Sequence, residues 1–195
     1  MSKKQKIYLP FKRIISIFGS IIGITVCATL LWWWVLPINL IVTKGHPTFT
    51  GFRIGKNGKE FGLLKFRSMK RSVDPNLTNV EAQALKEDPF TGFGKFLRKT
   101  SIDETLQLFN ILVGQMAFIG PRPLIDKGDD HTTIAIRKEN GSISLTPGIS
   151  GYAQTNGRTK IPADKRAELD YYYYKHISLW LDIKIFFKSF SKAQN

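Results

Sequence analysis

From Ile14 to Thr43 the chain, "IISIFGSIIGITVCATLLWWWVLPINLIVT", runs for about 30 residues without a charge, at or beyond the length that crosses a bilayer as a helix. Trp32, Trp33 and Trp34 lie within it, and indole rings settle at headgroup depth. After this segment the pattern changes. "TFTGFRI" and "EFGLLKFRSM" mix apolar and basic residues on either side of the turn "GKNGK" and predict a β-hairpin. A polar, partly helical connector follows over 70–99 and ends in a basic patch. Leu106, Phe109, Ile111 and Leu112 then predict a helix over Ile102 to Leu112, stopped by Gly114. The stretch over 124–158 is rich in glycine and predicts loops whose backbone can approach a ligand closely. In "AELDYYYYKHISLWLDIKIFFKSF", Trp180, Ile183, Phe186, Phe187 and Phe190 stand against Lys175, Lys184 and Lys188. That pattern suits a helix lying on a membrane and a helix packing on a core equally well. The fold class expected is α+β and helix-rich. It joins an N-terminal membrane-inserted segment over 1–44 to a domain over 45–195 with a small β-hairpin and amphipathic interfacial helices.

The charges around the apolar run change the picture of how it meets the membrane. Lys3, Lys4, Lys6, Lys12 and Arg13 precede it, and Lys44, Arg53, Lys56 and Lys59 follow it. Basic flanks favour the cytoplasmic side, so both ends ask for the same side. A re-entrant or shallow insertion satisfies this where a straight span does not, with Pro37, Gly19 and Gly23 as candidate breakers. A cleavable signal peptide would need a shorter apolar core and a clean small-residue cleavage site. Over the whole chain 29 Lys and Arg against 15 Asp and Glu give a formal charge of +14, which implies an anionic partner: nucleic acid, phospholipid or a phosphorylated substrate. Cys27 stands alone, so no intrachain disulfide forms.

Candidate chemistry centres on "TSIDETLQLFNILVGQMAFIGPRP". Ser101 and Glu104 fit a capping box, which would explain Glu104 as a helix-start residue, and Asp103 suits a first turn by the macrodipole. Adjacent helical side chains point about 100° apart, so Asp103 and Glu104 are poorly placed to face each other and suit separate roles. Arg122 sits between Pro121 and Pro123, where restricted backbone presents a guanidinium suited to a bidentate grip on phosphate; a surface salt bridge is the plainer alternative. Asp170 with Lys175 would make an ordinary solvated helix face. His46, His131 and His176 have no zinc-type spacing, and no Walker or dinucleotide-binding glycine motif is present. A membrane-anchored scaffold holding anionic lipid or nucleic acid would share the charge and the apolar segment, but it leaves the acidic pair beside a rigid arginine unexplained.

The blocks "KFRSM" at 65–69, "DETLQLFNILVGQMAFIGPRP" at 103–123, "PGISGYAQTNGR" at 147–158 and "ELDYYY" with "ISLWLDIKI" at 168–185 resemble one family. It is the monotopic phosphoglycosyl transferases, or bacterial sugar transferases, in their minimal single-domain form. The resemblance implies transfer of a sugar 1-phosphate from a nucleotide diphosphate sugar to polyprenol phosphate at the cytoplasmic face of the bacterial inner membrane, beginning assembly of a surface glycan or glycoprotein glycan. It implies Asp103 as the nucleophile, forming an aspartyl phosphosugar. Glu104 would hold Mg²⁺, Arg122 and Arg158 would bind phosphate, Lys65 would neutralise charge near the metal, and Asp170 would belong to the active site. Phospholipid is then a partner and nucleic acid is not, while homo-oligomerisation stays open. Two positions depart from the family pattern: Ser16 stands where K-R-x-x-D has its acid, and the Ser-Pro expected around 28–31 is missing, with Pro37 lying later.

Overall fold

The computed structural model describes residues 3–74, 81, 85, 87–157 and 161–192. A single helical run opens the chain: α1 (Lys3–Cys27), a five-residue π segment (Ala28–Trp32) and α2 (Trp33–Val42). Its Gln5–Val42 portion is long and apolar enough to enter a bilayer. Most of its apolar side chains are uncovered, Ile7, Phe11, Phe18, Ile22, Trp33 and Ile41 among them. The helix continues through Gly19, Gly23 and Pro37, and its departure from α geometry is the π segment ahead of the proline. Pro37 has no N–H for the carbonyl one turn before it, and a π turn is one way a helix absorbs a misfit in its hydrogen-bond ladder.

Strands β1 (Thr48–Ile54) and β2 (Glu60–Phe66) form the expected antiparallel hairpin, turned by Asn57 and Gly58 at φ 58° and 76°. Next come α3 (Gly92–Lys99), a 3₁₀ turn (Ile102–Glu104) and α4 (Gln107–Val113). β3 (Ala117–Ile119), α5 (Gly128–Glu139), β4 (Gly148–Ser150), α6 (Tyr152–Asn156), α7 (Ala163–His176) and α8 (Leu179–Lys192) complete the chain.

These elements fall into two compact units. One contains Gly19–Phe52 and Gly62–Asn110. Its core is Trp32, Val35, Phe66, Leu97 and Leu106, with Leu64, Phe93 and Ile102 packed against it. Polar bonds fix the packing: Trp32 Nε1 donates to Thr105 Oγ1 at 2.9 Å, and buried Asn39 donates to the carbonyls of Pro47 and Arg67 at 2.6 and 3.0 Å. Thr91 caps α3 by accepting from the Gly94 N–H at 2.8 Å.

The other unit contains Met1–Phe18, Arg53–Phe61 and Ile111–Asn195. Ile119, Leu145, Tyr173, Ile177 and Ile185 form one core cluster, and Ile54, Leu124 and Ile134 another. Within it Lys12 and Asp182 form a buried ion pair at 2.6 Å. The Tyr8 and Tyr173 hydroxyls donate to the same carboxylate at 2.7 and 2.5 Å. Arg13 donates to the carbonyls of Ile111 and Leu112 at 2.5 and 2.7 Å, completing the C-terminal end of α4, while Gly114 at φ 92° stops that helix as expected. Ser16, at the departed acidic position, is buried and donates to the Lys12 carbonyl at 2.9 Å. On α8, Leu179, Trp180, Ile183, Phe186 and Phe187 are exposed while Asp182 and Ile185 are buried.

Two expectations are corrected. The segment 124–158 is not a run of loops: it contains α5, β4 and α6. α5 carries ordinary helix signals, Asp129 and Asp130 in its first turn and Arg137 and Lys138 in its last, but its buried face is Thr133, Ile134 and Arg137, so apolar spacing does not reveal it. The second correction concerns the start of the acidic helix, where Ile102–Glu104 is a 3₁₀ turn and the α-helix begins only at Gln107.

β3 and β4 pair in parallel, Ala117 with Gly148 and Ile119 with Ser150. A Cβ on Gly148 would collide with the backbone of Gly120 and Ile119, and backbone cannot swing aside as a flexible side chain can. Gly148→Ala is expected to destabilise the protein by about 1–3 kcal/mol, seen as a lower thermal midpoint by circular dichroism; an unchanged midpoint would contradict the tight approach.

Candidate active site

In the first of these units Asp103 and Glu104 occupy the 3₁₀ turn. Ser101 precedes them at φ 56° with no side-chain capping bond, so the capping box is absent. A left-handed non-glycine residue costs on the order of 1–2 kcal/mol, and here it sets the turn that carries both acids. At three residues per turn adjacent side chains diverge by about 120°, and the two acids do part. Asp103 is buried, 5% exposed, whereas the Glu104 side chain is about a third exposed and meets Lys65 Nζ at 2.6 Å.

Lys65 lies on β2, and Asn110 ties α4 to that strand. Its Oδ1 accepts from the Leu64 N–H at 3.0 Å, and its Nδ2 donates to the Gly62 carbonyl at 2.7 Å. Trp32 stacks on Phe109 with ring centroids 5.4 Å apart. Asn110 thus ties the helix that follows the acidic turn to the strand that carries Lys65. Burial pushes the Asp103 carboxyl up to about 6, with Lys65 pulling it back, Glu104 pushing further and Arg98 opposing. The acid is therefore largely ionised at neutral pH, costly for the fold to hold and in want of an electrophile or a cation.

Arg122 and Asp170 belong to the other unit. Arg122 is exposed, with its backbone held from several sides. The Pro121 carbonyl accepts from Gly148 N–H at 2.9 Å and the Leu124 carbonyl from Ile54 N–H at 2.8 Å. Asp170 is 1% exposed and meets Arg137, so the solvated-face alternative with Lys175 fails; Lys175 lies over the Tyr171 ring instead, 5.3 Å from its centroid. Burial raises the Asp170 carboxyl while Arg137 and Arg166 oppose it. Arg158 lies outside the described residues.

Sequence reasoning missed Arg137 and Arg53. Arg53 is half-buried, and burial and the neighbouring charge of Arg122 both disfavour its protonated form, with Asp130 countering. Two guanidinium groups that repel each other make a place where an anion would be welcome.

No group of three or more His, Cys, Asp or Glu side chains gathers as a metal cage among the described residues. Mg²⁺ does not ask for one: it commonly takes one or two carboxylates and completes its shell with water and substrate phosphate. Glu104, partly exposed beside Asp103, fits that donor chemistry. His131 pairs with Asp126 at 2.6 Å, and His176 stacks on Tyr172 with centroids 4.1 Å apart.

The sequence model described as bacterial sugar transferase matches residues 7–195. The chain is 42% identical over 167 residues to a sugar transferase of Haemophilus influenzae whose role is uncharacterised, covering 77% of this chain and 33% of that protein. It is 34% identical over 206 residues to the undecaprenyl-phosphate galactose phosphotransferase of Salmonella typhimurium, covering 97% and 41%. It is 38% identical over 163 residues to the UDP-glucose:undecaprenyl-phosphate glucose-1-phosphate transferase of Xanthomonas campestris, covering 80% and 34%. The chain thus spans roughly a third to two fifths of the length of these three relatives.

Proposed function

The chain belongs to the bacterial sugar transferase family, and on that footing we propose that it transfers a sugar 1-phosphate from a uridine diphosphate sugar to a polyprenol phosphate, undecaprenyl phosphate being the acceptor named for two of its relatives. The observation that carries the reading is the acidic turn, where a buried, ionisable Asp103 stands beside a Glu104 held by Lys65. An Asp103 carboxylate oxygen attacks the phosphorus bearing the sugar, the bond from that phosphorus to the bridging oxygen breaks, and uridine monophosphate leaves with the electron pair. A phosphate oxygen of the polyprenol phosphate then attacks the aspartyl phosphosugar, giving the polyprenyl diphosphate sugar and restoring the carboxylate. Mg²⁺ held by Glu104 would supply charge neutralisation on the donor diphosphate. Lys65 orients Glu104 and adds positive charge near it, and Arg122 and Arg158 grip substrate phosphate. The product would begin assembly of a bacterial surface glycan or glycoprotein glycan. The sugar is left to experiment, since the two named relatives differ in theirs.

The same proposal puts the Gln5–Val42 helix into the inner membrane as a re-entrant or shallow insertion, with the catalytic domain on the cytoplasmic face. The bare apolar surface of α8 would rest on the phospholipid beside it. A cysteine placed at residue 2 and labelled from either side of sealed vesicles would react from the cytoplasmic side only; labelling from outside would overturn that topology.

Release of uridine monophosphate from a panel of uridine diphosphate sugars, with Mg²⁺ and with or without undecaprenyl phosphate, tests the reaction and identifies the sugar. Glu104→Gln is expected to reduce release at least about 10-fold, the scale of lesions around a metal site, and to raise the Mg²⁺ concentration needed. Silence across the panel with folded protein would overturn the uridine-sugar reading.

A further inference from the structure

We infer that the buried Arg137–Asp170 pair is a positioning clamp for Arg122, holding the backbone from which the phosphate-binding guanidinium projects. The inference rests on the proposed phosphate role of Arg122. Arg137 donates through Nε and Nη2 to Asp170 Oδ2 at 3.0 and 2.5 Å, and through Nη1 to the Arg122 carbonyl at 3.0 Å. Arg137 is 4% exposed and Asp170 1%.

The local sequence explains why such a clamp is useful. Pro121 and Pro123 have no N–H, so the backbone around Arg122 is short of donors, and it is fastened through its acceptors. Pro121 offers its carbonyl to Gly148, Arg122 to Arg137 and Leu124 to Ile54. Of these three anchors only the middle one comes from a side chain, and it falls on the residue whose guanidinium is to be aimed.

A buried ion pair is a weak device for stability alone, because desolvation offsets much of its attraction and apolar residues of similar volume often serve as well. This pair is also incompletely satisfied, since Asp170 Oδ1 is buried without a hydrogen-bond partner. What the arrangement uses is the planar fork of arginine: two donors fix the guanidinium on the carboxylate and leave a third directed at one carbonyl. Lysine would keep the charge and lose that directed third bond. Asp170, placed in the active site by resemblance, thereby acts through Arg137 rather than on substrate.

The test is UDP binding to the full-length protein in detergent with Mg²⁺, by calorimetry, for the unaltered chain, Arg122→Ala, Arg137→Lys and the double variant, with thermal midpoints alongside. Arg122→Ala keeps the carbonyl and removes the guanidinium, and should weaken UDP binding by about tenfold, the scale of one charge-assisted bond. Arg137→Lys should weaken it comparably, and in the Arg122→Ala background should cost nothing further. Asp170→Ser, which removes the carboxylate that fixes the Arg137 fork and leaves a small polar side chain, serves the same cycle if Arg137→Lys fails to fold. Losses that multiply in the double variant would show Arg137 acting independently of Arg122 and overturn the clamp. UDP binding untouched by Arg122→Ala would instead overturn the phosphate role of Arg122, and the clamp with it.

Discussion

Asp103→Asn is expected to abolish release of uridine monophosphate, by about 10³-fold or more, while leaving the protein folded. The substitution keeps the shape of the side chain and removes the charged oxygen that would attack phosphorus, and loss of a nucleophile commonly costs at least this much. By the proposed covalent route, the unaltered enzyme without polyprenol phosphate should release close to one equivalent of uridine monophosphate and stop, because the phosphosugar would stay on Asp103; the variant should release none. Stability should move the other way. Asp103 is buried and its carboxyl raised to about 6, so the folded state holds its proton more tightly than the unfolded chain does, and the ionised acid costs stability increasingly as pH rises from about 4 through 6. Asparagine carries no such charge, and the thermal midpoint of Asp103→Asn at neutral pH should match or exceed that of the parent. Release surviving in the variant would overturn the covalent route, and a lowered midpoint would show that the carboxylate helps hold the turn.

The largest expected effect on stability lies at Asp182. Its carboxylate takes the Lys12 ammonium and the hydroxyls of Tyr8 and Tyr173 at once, and all of this is buried or nearly so. Asp182→Ala leaves the Lys12 ammonium without its counter-charge, with only the Tyr173 hydroxyl as acceptor at 2.5 Å among the described residues, and takes the acceptor from both tyrosine hydroxyls. Breaking a buried pair by removing one partner costs about 3–5 kcal/mol, which for a chain of this length lowers the midpoint on the order of 10 °C. Circular dichroism of detergent-purified protein would read it. A change under about 2 °C would mean that water reaches Lys12 and that the network contributes little to anchoring the N-terminal helix on α8.

Much of this architecture is legible in the sequence, and the parts that are not share a physical reason. The long apolar helix, the hairpin and the glycine stop at 114 each announce themselves by pattern, and the sequence also singles out Asp103, Glu104 and Arg122 as the chemistry to test. α5 does not, because it turns Thr133 and Arg137 inward, and a helix whose buried side is polar carries no apolar period. Arg137 is invisible for a second reason: one basic residue near a helix C-terminus looks like a dipole complement. Ser101 misleads in the opposite direction. Its spacing to Glu104 matches a capping box, but a cap residue needs extended backbone, and Ser101 is left-handed.

The parallel pairing of β3 with β4 has a consequence for how the protein is made. Parallel strands cannot be joined by a tight turn; here the crossover between Ile119 and Gly148 includes all of α5. Closing so long a loop must be offset before any contact across it rewards the chain. The Arg122 backbone, fastened to Gly148 on β4 and to Arg137 on α5, therefore takes its final shape only after the ribosome has delivered β4. A nascent chain halted before residue 148 would have Arg137 and Ile54 but neither Gly148 to hold the Pro121 carbonyl nor Asp170 to fix Arg137, so the setting of the Arg122 backbone would be among the last features this protein acquires during synthesis.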